Sequence, residues 1–307
     1  MTTASAPAKI ILFGEHAVVY GQPALAAPVF GLQATAEVKE GTDHYGVVIH
    51  ATDINSHFSL ALAARNALAR TAQLVLEKLE IPEPDLDITV TAEIPLASGL
   101  GSGAAVSAAL AKAMSTHLGQ PLPPAELSDL VFEVEKMHHG TPSGIDNTVV
   151  CYGEPVLFVK GRTPQRFEVG APLHFVVGDT GVKSPTRNTV GDVRRGWEGH
   201  RRQYESWFRA IGKLAREAHR SIRLGRTEEI GQLMNANQAL LQSLDVSSVE
   251  LETLINAARE AGALGAKLSG GGRGGNMVAL VDSDREAAVC EALQRAGAAR
   301  VFTTSIE

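Results

Sequence analysis

The sequence predicts a folded protein of two domains in which strands and helices are mixed. Its 307 residues fit one large domain or two ordinary ones, and we favour two. Hydrophobic residues make up 44% and charged residues 20%, which is typical of globular proteins. Acidic residues number 34 and basic residues 28, so the net charge is −6. This balance argues against nucleic acid as a partner, because nucleic-acid-binding domains carry a basic footprint.

The cysteines and the N-terminus indicate the compartment. Cys151 and Cys290 are the only cysteines, too few for a disulfide framework in a chain of this length. The N-terminus, MTTASAPAK, lacks the charged and apolar segments of a leader, and no apolar run is long enough to span a membrane. We therefore expect a cytoplasmic protein with no membrane partner.

In the first half, apolar runs that end at turn residues predict strands, and helical spacing predicts the helices between them. Residues 9–13 (KIILF) end at Gly14 and predict a buried strand that enters a turn. The other predicted strands are 32–38, 45–50 and 86–92. The predicted helices are 59–79, 103–118 and 125–138.

In the second half, strands are predicted at 147–152 and 155–160, joined at Gly153. The polar segment 161–165 then predicts a domain boundary near residue 160. Beyond it we expect a strand at 174–177, helical stretches at 188–224, 227–244 and 248–261, a strand at 276–281, a helix at 285–296 and a closing edge strand at 299–304.

Two glycine clusters each lie between a predicted strand and a predicted helix. Residues 94–105 (IPLASGLGSGAA) precede the helix at 103–118 and can form a phosphate cradle, since a helix N-terminus offers free N–H groups to an anion. A tightly packed turn is the alternative. Residues 267–276 (KLSGGGRGGN) predict backbone that touches a ligand or another loop, with a flexible surface loop as the alternative. Arg273 in this cluster could bind an anion or be solvated.

Charged residues near these clusters are candidates for chemistry. Glu135 and Asp146 could converge across a turn, one holding a hard cation and the other accepting a proton from a hydroxyl group. The alternative is a surface charge and a turn cap. Lys9, Glu15 and His16 stand among apolar neighbours and need partners if they are buried, although a lysine can also extend to solvent.

Five ordered segments resemble the GHMP kinases, the family named for galactokinase, homoserine kinase, mevalonate kinase and phosphomevalonate kinase. Residues 6–21 (APAKIILFGEHAVVYG) resemble its first motif in the form found in mevalonate kinases, 95–105 resemble its phosphate loop and 267–276 its third motif. Residues 139–146 (HGTPSGID) and 179–188 (DTGVKSPTRN) also match forms usual in mevalonate kinases. The chain is therefore identified as a member of this family.

The resemblance implies an α+β, two-domain GHMP kinase fold with the active site in the cleft between the domains. Residues 1–160 would form the N-terminal ATP-binding domain and 161–307 the C-terminal domain. A left-handed βαβ unit is implied as well. The phosphates of ATP would lie on the phosphate loop, formed by Pro95, Ala97, Ser98, Gly99, Leu100, Gly101, Ser102, Gly103, Ala104 and Ala105.

The resemblance also implies the reaction and its residues. The cofactors would be ATP and Mg²⁺, and the γ-phosphoryl group would pass to the 5-hydroxyl of mevalonate, giving 5-phosphomevalonate in isoprenoid biosynthesis. Asp146 and Lys9 match catalytic positions, and Glu135 matches the Mg²⁺ ligand. The implied mevalonate-binding residues are Lys9, Glu15, His16, Asp146 and Thr186.

Two positions depart from the family pattern. Gly103 stands where a serine usually reaches Mg²⁺, so Ser102 or a water would replace that ligand and weaker metal or nucleotide affinity is expected. Arg273 stands where glycine is found and could contact ATP or substrate. Two other functions stay open: a GHMP kinase of phosphomevalonate, homoserine or a sugar, and a catalytically silent ligand-binding member. A homodimer stays open as the assembly.

Overall fold

Strands and helices are mixed along the whole chain, as the apolar patterns predict. This computed structural model describes residues 1–42, 45–95, 99–139, 142–184 and 186–307, with the backbone alone at 138 and 139. The strands are β1 (Thr2–Phe13), β2 (Ala24–Glu40), β3 (Val47–Ala51), β4 (Ser56–Ser59), β5 (Leu86–Ala92), β6 (Val156–Phe158), β7 (Gln165–Arg166), β8 (Leu173–Asp179), β9 (Gly265–Ser269), β10 (Asn276–Val281) and β11 (Arg300–Ile306). The helices are α1 (Ala67–Leu79), α2 (Ser102–His117), α3 (Pro124–His139), α4 (Ile145–Tyr152), α5 (Thr186–Gly199), α6 (Arg201–Arg223), α7 (Thr227–Ser243), α8 (Val249–Glu260) and α9 (Glu286–Arg295).

The predicted strand at 147–152 is wrong, because this segment forms helix α4. Val149 and Val150 favour strands, but tertiary contacts outweigh that preference. Gly144 at the N-cap adopts a left-handed φ of 91°, and the Thr148 hydroxyl donates to the Gly144 carbonyl at 2.7 Å. Asn147 donates to the Ser128 carbonyl at 3.0 Å, which anchors α4 to α3.

Two predicted helices are also wrong in extent. Within 59–79 the helix begins only at α1, whose N-cap Asn66 accepts a hydrogen bond from the Ala69 amide at 3.0 Å, and Leu60–Leu62 forms a separate 3₁₀ turn. The stretch 188–224 is divided into α5 and α6 at His200. The sequence patterns do not predict strands β4, β7 and β9, since these are short or rich in glycine and polar residues.

The chain divides into two compact units, each built from separated segments. Unit 1 comprises Met1–Ala8, Phe30–Leu96 and Gly101–Gly153. Unit 2 comprises Lys9–Val29, Ala97–Leu100 and Glu154–Glu307. The N-terminal segment that carries Lys9, Glu15 and His16 therefore belongs with the second unit. The domain ranges 1–160 and 161–307 stay a prediction.

Unit 1 packs helices on a sheet. β3 runs parallel to β5, with α1 in the connection between them, and β4 pairs antiparallel with β3. The later part of β2 pairs antiparallel with β5, from Ala34 opposite Ala92 to Glu40 opposite Leu86. Helices α1 to α4 pack together, and small residues let α2 approach its neighbours closely, since its alanines from Ala104 onward are largely buried.

Unit 2 contains the antiparallel sheet β11-β8-β10-β9, in which β11 is an edge strand as predicted. α8 packs on β9 and β10, and α9 packs on β8 and β11. α6 and α7 pack on each other, and Phe208 and Ile211 from α6 join the core beside Ala17. Within the described ranges, no helix combines the length and apolar character needed to cross a membrane.

Candidate active site

The first glycine cluster leads directly into helix α2. Gly99 and Gly101 adopt left-handed φ values of 83° and 76°, and Gly101 is the N-cap of the helix. A Cβ added to Gly99 would meet no atom among the described residues closer than the Ser269 carbonyl oxygen at 3.8 Å. A glycine-lined helix N-terminus is suited to an anion, because the free N–H groups and the helix dipole both favour negative charge. Ala97 and Ser98 lie outside the described residues.

Glu135 lies against the start of the same helix. This residue of α3 is 4% exposed, and a Cβ added to Gly103 would be 3.1 Å from its Oε1 atom. Ser102 is the first residue of α2. In the described part of the chain, no three His, Cys, Asp or Glu side chains gather into a metal-binding group. One carboxylate beside a phosphate-suited helix end nevertheless fits Mg²⁺, which commonly takes one or two carboxylates and completes its shell with phosphate oxygens and waters.

Asp146 lies in the first turn of α4, two residues after Gly144. Asp146 is only partly exposed to solvent. Carboxylates are stabilised at this end of a helix by the dipole and by the unpaired N–H groups of the first turn. The position therefore suits a carboxylate side chain.

The first motif forms a turn that requires glycine. β1 ends at Phe13, and Gly14 has a φ of 97°. A Cβ at Gly14 would lie 2.5 Å from the Ala24 Cα, so no side chain fits there. The turn buries the charged residues on either side of it, since Lys9 is 2% exposed and Glu15 is 1% exposed.

The partners of Glu15 come from distant parts of unit 2. Its Oε1 atom forms a fully buried ion pair with the Nζ atom of Lys267 in β9. Its Oε2 atom accepts a hydrogen bond from Asn237 of α7 at 3.1 Å. Burial lowers the pKa of Lys267, and the ion pair with Glu15 opposes that effect. Sequence reasoning missed the roles of Lys267 and Asn237, although a lysine inside the apolar segment GAKLS was a usable signal.

His16 is buried in an unusual backbone conformation. It is 6% exposed and has a φ of 59°. Its Nε2 atom lies 3.0 Å from the Gly271 carbonyl oxygen, which can only accept, so Nε2 carries the proton and Nδ1 is an acceptor. Burial lowers the pKa of His16 to about 4; the bond to Gly271 opposes this effect, and the charge of Arg273 adds to it. His16 is therefore neutral near pH 7.

The second glycine cluster lies next to several of these groups in unit 2. A Cβ at Gly270 would be 3.6 Å from the Gly99 carbonyl oxygen, and one at Gly271 would be 2.9 Å from the Thr186 Oγ1 atom. The Ser269 hydroxyl accepts from the Ile11 amide at 2.9 Å, which ties β9 to β1. The guanidinium group of Arg273 contacts Asp192 and Asp245.

The predicted site residues thus form local groups within each unit. In unit 1, Ser102, Gly103 and Glu135 come together, and Asp146 lies in the first turn of α4. In unit 2, His16, Gly99 and Thr186 lie around the second glycine cluster. Lys9 joins Leu100 through a backbone hydrogen bond of 3.0 Å to its carbonyl.

An α+β chain with a glycine-lined helix N-terminus beside a buried carboxylate has the features of a small-molecule kinase. The family model for the GHMP kinases N terminal domain matches residues 66–154, and the model for the GHMP kinases C terminal matches residues 210–299. The chain belongs to the GHMP kinase family.

Individual relatives cover nearly the whole chain. A protein from Thermococcus sibiricus named mevalonate kinase is 36% identical over 98% of this chain and 95% of its own length. The L. major mevalonate kinase crystallised with R-mevalonate is 30% identical, with a TM-score of 0.85 over 100% of this chain and 96% of that one. The Methanococcus jannaschii mevalonate kinase is 25% identical, with a TM-score of 0.87 over 99% of this chain and 98% of that one.

Proposed function

We propose that this chain is an ATP-dependent mevalonate kinase that phosphorylates the 5-hydroxyl of mevalonate and supplies 5-phosphomevalonate for isoprenoid biosynthesis. The observation that carries the proposal is the full-length similarity to proteins named mevalonate kinase, one of which was crystallised with R-mevalonate. The local geometry of each unit supports it.

The substrate side of the proposed site lies around His16. Mevalonate carries one carboxylate and two hydroxyl groups, so a cation and hydrogen-bonding groups suit it. A neutral His16 presents Nδ1 as an acceptor for a hydroxyl group, while Thr186 supplies a hydroxyl and Lys9 an ammonium group. Glu15, which has both carboxylate oxygens engaged, acts by holding the turn that carries His16.

The nucleotide side lies at the N-terminus of α2. The phosphates of ATP bind the backbone of the loop that includes Gly99, Gly101 and Gly103, where N–H groups favour negative charge. Glu135 and Ser102 are the residues that would hold Mg²⁺. When bound, Mg²⁺ offsets charge on the phosphoryl group during transfer.

Asp146 is the proposed proton acceptor. As the substrate hydroxyl oxygen forms its bond to the γ-phosphorus, the bond from that phosphorus to the bridging oxygen breaks, ADP leaves and the hydroxyl proton passes to the Asp146 carboxylate. This carboxylate lies in the first turn of α4, the end of a helix that favours an acidic side chain. Lys9 is proposed as the second catalytic residue, since an ammonium group lowers the pKa of a hydroxyl group nearby.

The test is a coupled ADP-release assay with Mg·ATP and mevalonate, phosphomevalonate, homoserine or galactose. We expect turnover on mevalonate, reduced at least about a thousandfold by Asp146→Asn because the proton acceptor is lost. Asp129→Asn, an exposed change on α3, is the matched control and should keep wild-type activity. Turnover on another substrate alone would overturn the substrate assignment. ATP binding without turnover on any of them would favour a silent ligand-binding member.

A further inference from the structure

The second glycine cluster is attached to several segments of unit 2. The Arg273 amide donates to the Val246 carbonyl at 2.7 Å, and the Gly275 amide donates to the Val182 carbonyl at 3.0 Å. The Gly275 carbonyl accepts from the Thr180 hydroxyl at 2.9 Å. These bonds hold the backbone at the C-terminal end of the loop. Gly271, which faces His16 and Thr186, lies two residues before Arg273 and therefore next to this anchored end.

The Arg273 side chain joins this loop to two other elements. Its Nε atom donates to the Asp245 carbonyl at 3.0 Å, and its Nη2 atom donates to the Asp245 carboxylate at 2.9 Å. Its Nη1 atom pairs with the carboxylate of Asp192 in α5. One guanidinium group therefore connects the loop, the turn between α7 and α8, and the helix that begins at Thr186. Only arginine can do this, since its planar fork directs several N–H groups at once.

The backbone of the same residue is strained. Arg273 has a φ of 57° and Asp245 has a φ of 56°, both in the left-handed region that favours glycine. Glycine at 273 would relieve this strain and lose every side-chain contact. The three hydrogen bonds of the Arg273 side chain offset this strain. Strained residues of this kind are found where the surrounding structure holds a functional group in position.

We infer that Arg273 is a positioning residue for the substrate side of the site: by joining the loop to α5, it fixes the Gly271 carbonyl that orients His16 next to Thr186. This inference rests on the proposed function. The Arg273 side chain is paired with protein carboxylates, so it acts on the site through these neighbours. Loss of this side chain should therefore weaken substrate binding more than it slows the chemical step.

The experiment compares Arg273→Gly, Arg273→Lys and Arg273→Gln with the wild type. Arg273→Gly removes the side chain while relieving the backbone strain, so it separates loss of the bridge from misfolding. We expect the KM for mevalonate to rise about tenfold and kcat to change less than about twofold in the glycine and glutamine variants. Arg273→Lys should have a KM between those of the wild type and the glycine variant, because lysine keeps the positive charge but lacks the planar guanidinium group.

Arg226→Gln, which removes a surface pair with Glu229, is the matched control and should leave both constants unchanged. Amide hydrogen exchange of 270–275 and of the first turn of α5, measured without substrate, should accelerate about tenfold in Arg273→Gly. A KM within twofold of the wild type in Arg273→Gly would overturn the inference. If the wild type turns over none of the substrates, the proposed function fails, and unchanged exchange in Arg273→Gly would then overturn the inference separately.

Discussion

The two glycine clusters have similar compositions but need glycine for different reasons. At Gly99 an added Cβ would reach nothing among the described residues closer than 3.8 Å, an ordinary van der Waals contact, so a methyl group would fit there. At Gly271 and Gly274 an added Cβ would lie 2.9 Å from Thr186 and 2.5 Å from the Val182 carbonyl oxygen. Among the described residues, a Cβ is accommodated beside Gly99, whereas at Gly271 and Gly274 the protein itself occupies that space. Glycine density alone therefore does not locate a ligand.

The sharpest test of this difference is a pair of alanine substitutions. Gly272 has a φ of 77° and its Cβ would overlap the Val246 carbonyl oxygen, so Gly272→Ala should reduce the free energy of unfolding by about 3 kcal/mol or more. Gly99→Ala meets the unfavourable φ of 83° and, among the described residues, no overlap, so it should cost about 1 kcal/mol, with a larger effect on the KM for ATP. Urea unfolding and steady-state kinetics measure both. Equal losses of stability would contradict the comparison.

A second test uses the hydrogen bond from His16 to the second cluster. Because the folded pKa of His16 is about 4 and the unfolded value is 6.5, the unfolded chain binds the proton first as the pH falls. The stability that the neutral His16 contributes is present above pH 6.5 and is lost as the pH falls towards 4. Between pH 7 and pH 5 the free energy of unfolding should fall by about 2 kcal/mol from this group.

Urea unfolding at pH 7 and at pH 5 should show that His16→Asn loses less free energy of unfolding between the two pH values than the wild type does. Asparagine tolerates a positive φ and can still donate to Gly271. His50→Asn, a change at an exposed histidine, is the control and should keep the wild-type pH dependence. If His16→Asn and the wild type lose the same stability, protonation of His16 is not the cause.

The smallest expected effect concerns the first cluster. Gly103→Ser would place a hydroxyl group beside Glu135 and supply an additional oxygen ligand for the metal, so Mg·ATP should bind a few-fold more tightly. Calorimetric titration measures this affinity. Gly199→Ser, where an added Cβ would meet no described atom within 4 Å, is the control and should leave the affinity unchanged. Unchanged affinity in Gly103→Ser would reject the idea that the missing serine weakens the metal site.

Elements whose signal lies within one short segment can be predicted from the sequence. The glycines before α2, the apolar run of β1 and the alternation of β5 each occupy one short segment, so local patterns predict a strand or a helix there. At α4 the predicted strand is wrong, because Gly144 and the anchor from Asn147 outweigh a β-branched sequence.

Contacts between distant segments could not be predicted from one sequence. Lys267 pairs with Glu15 across 252 positions, and Arg273 meets Asp192 across 81. Nothing in the local pattern of either partner specifies the other. The motif resemblance predicts Glu15 and His16 as site residues, but only the fold shows that Lys267 and Asn237 hold Glu15 in place.

The order of synthesis gives the Glu15–Lys267 ion pair a further consequence. The ribosome makes Glu15 252 residues before Lys267, whose ammonium group pairs with it in the folded state. Until β9 emerges, the turn after β1 cannot bury its carboxylate without a large desolvation penalty. A nascent chain that lacks β9 therefore gains little by closing unit 2, and the long-range contacts of this unit favour slow folding.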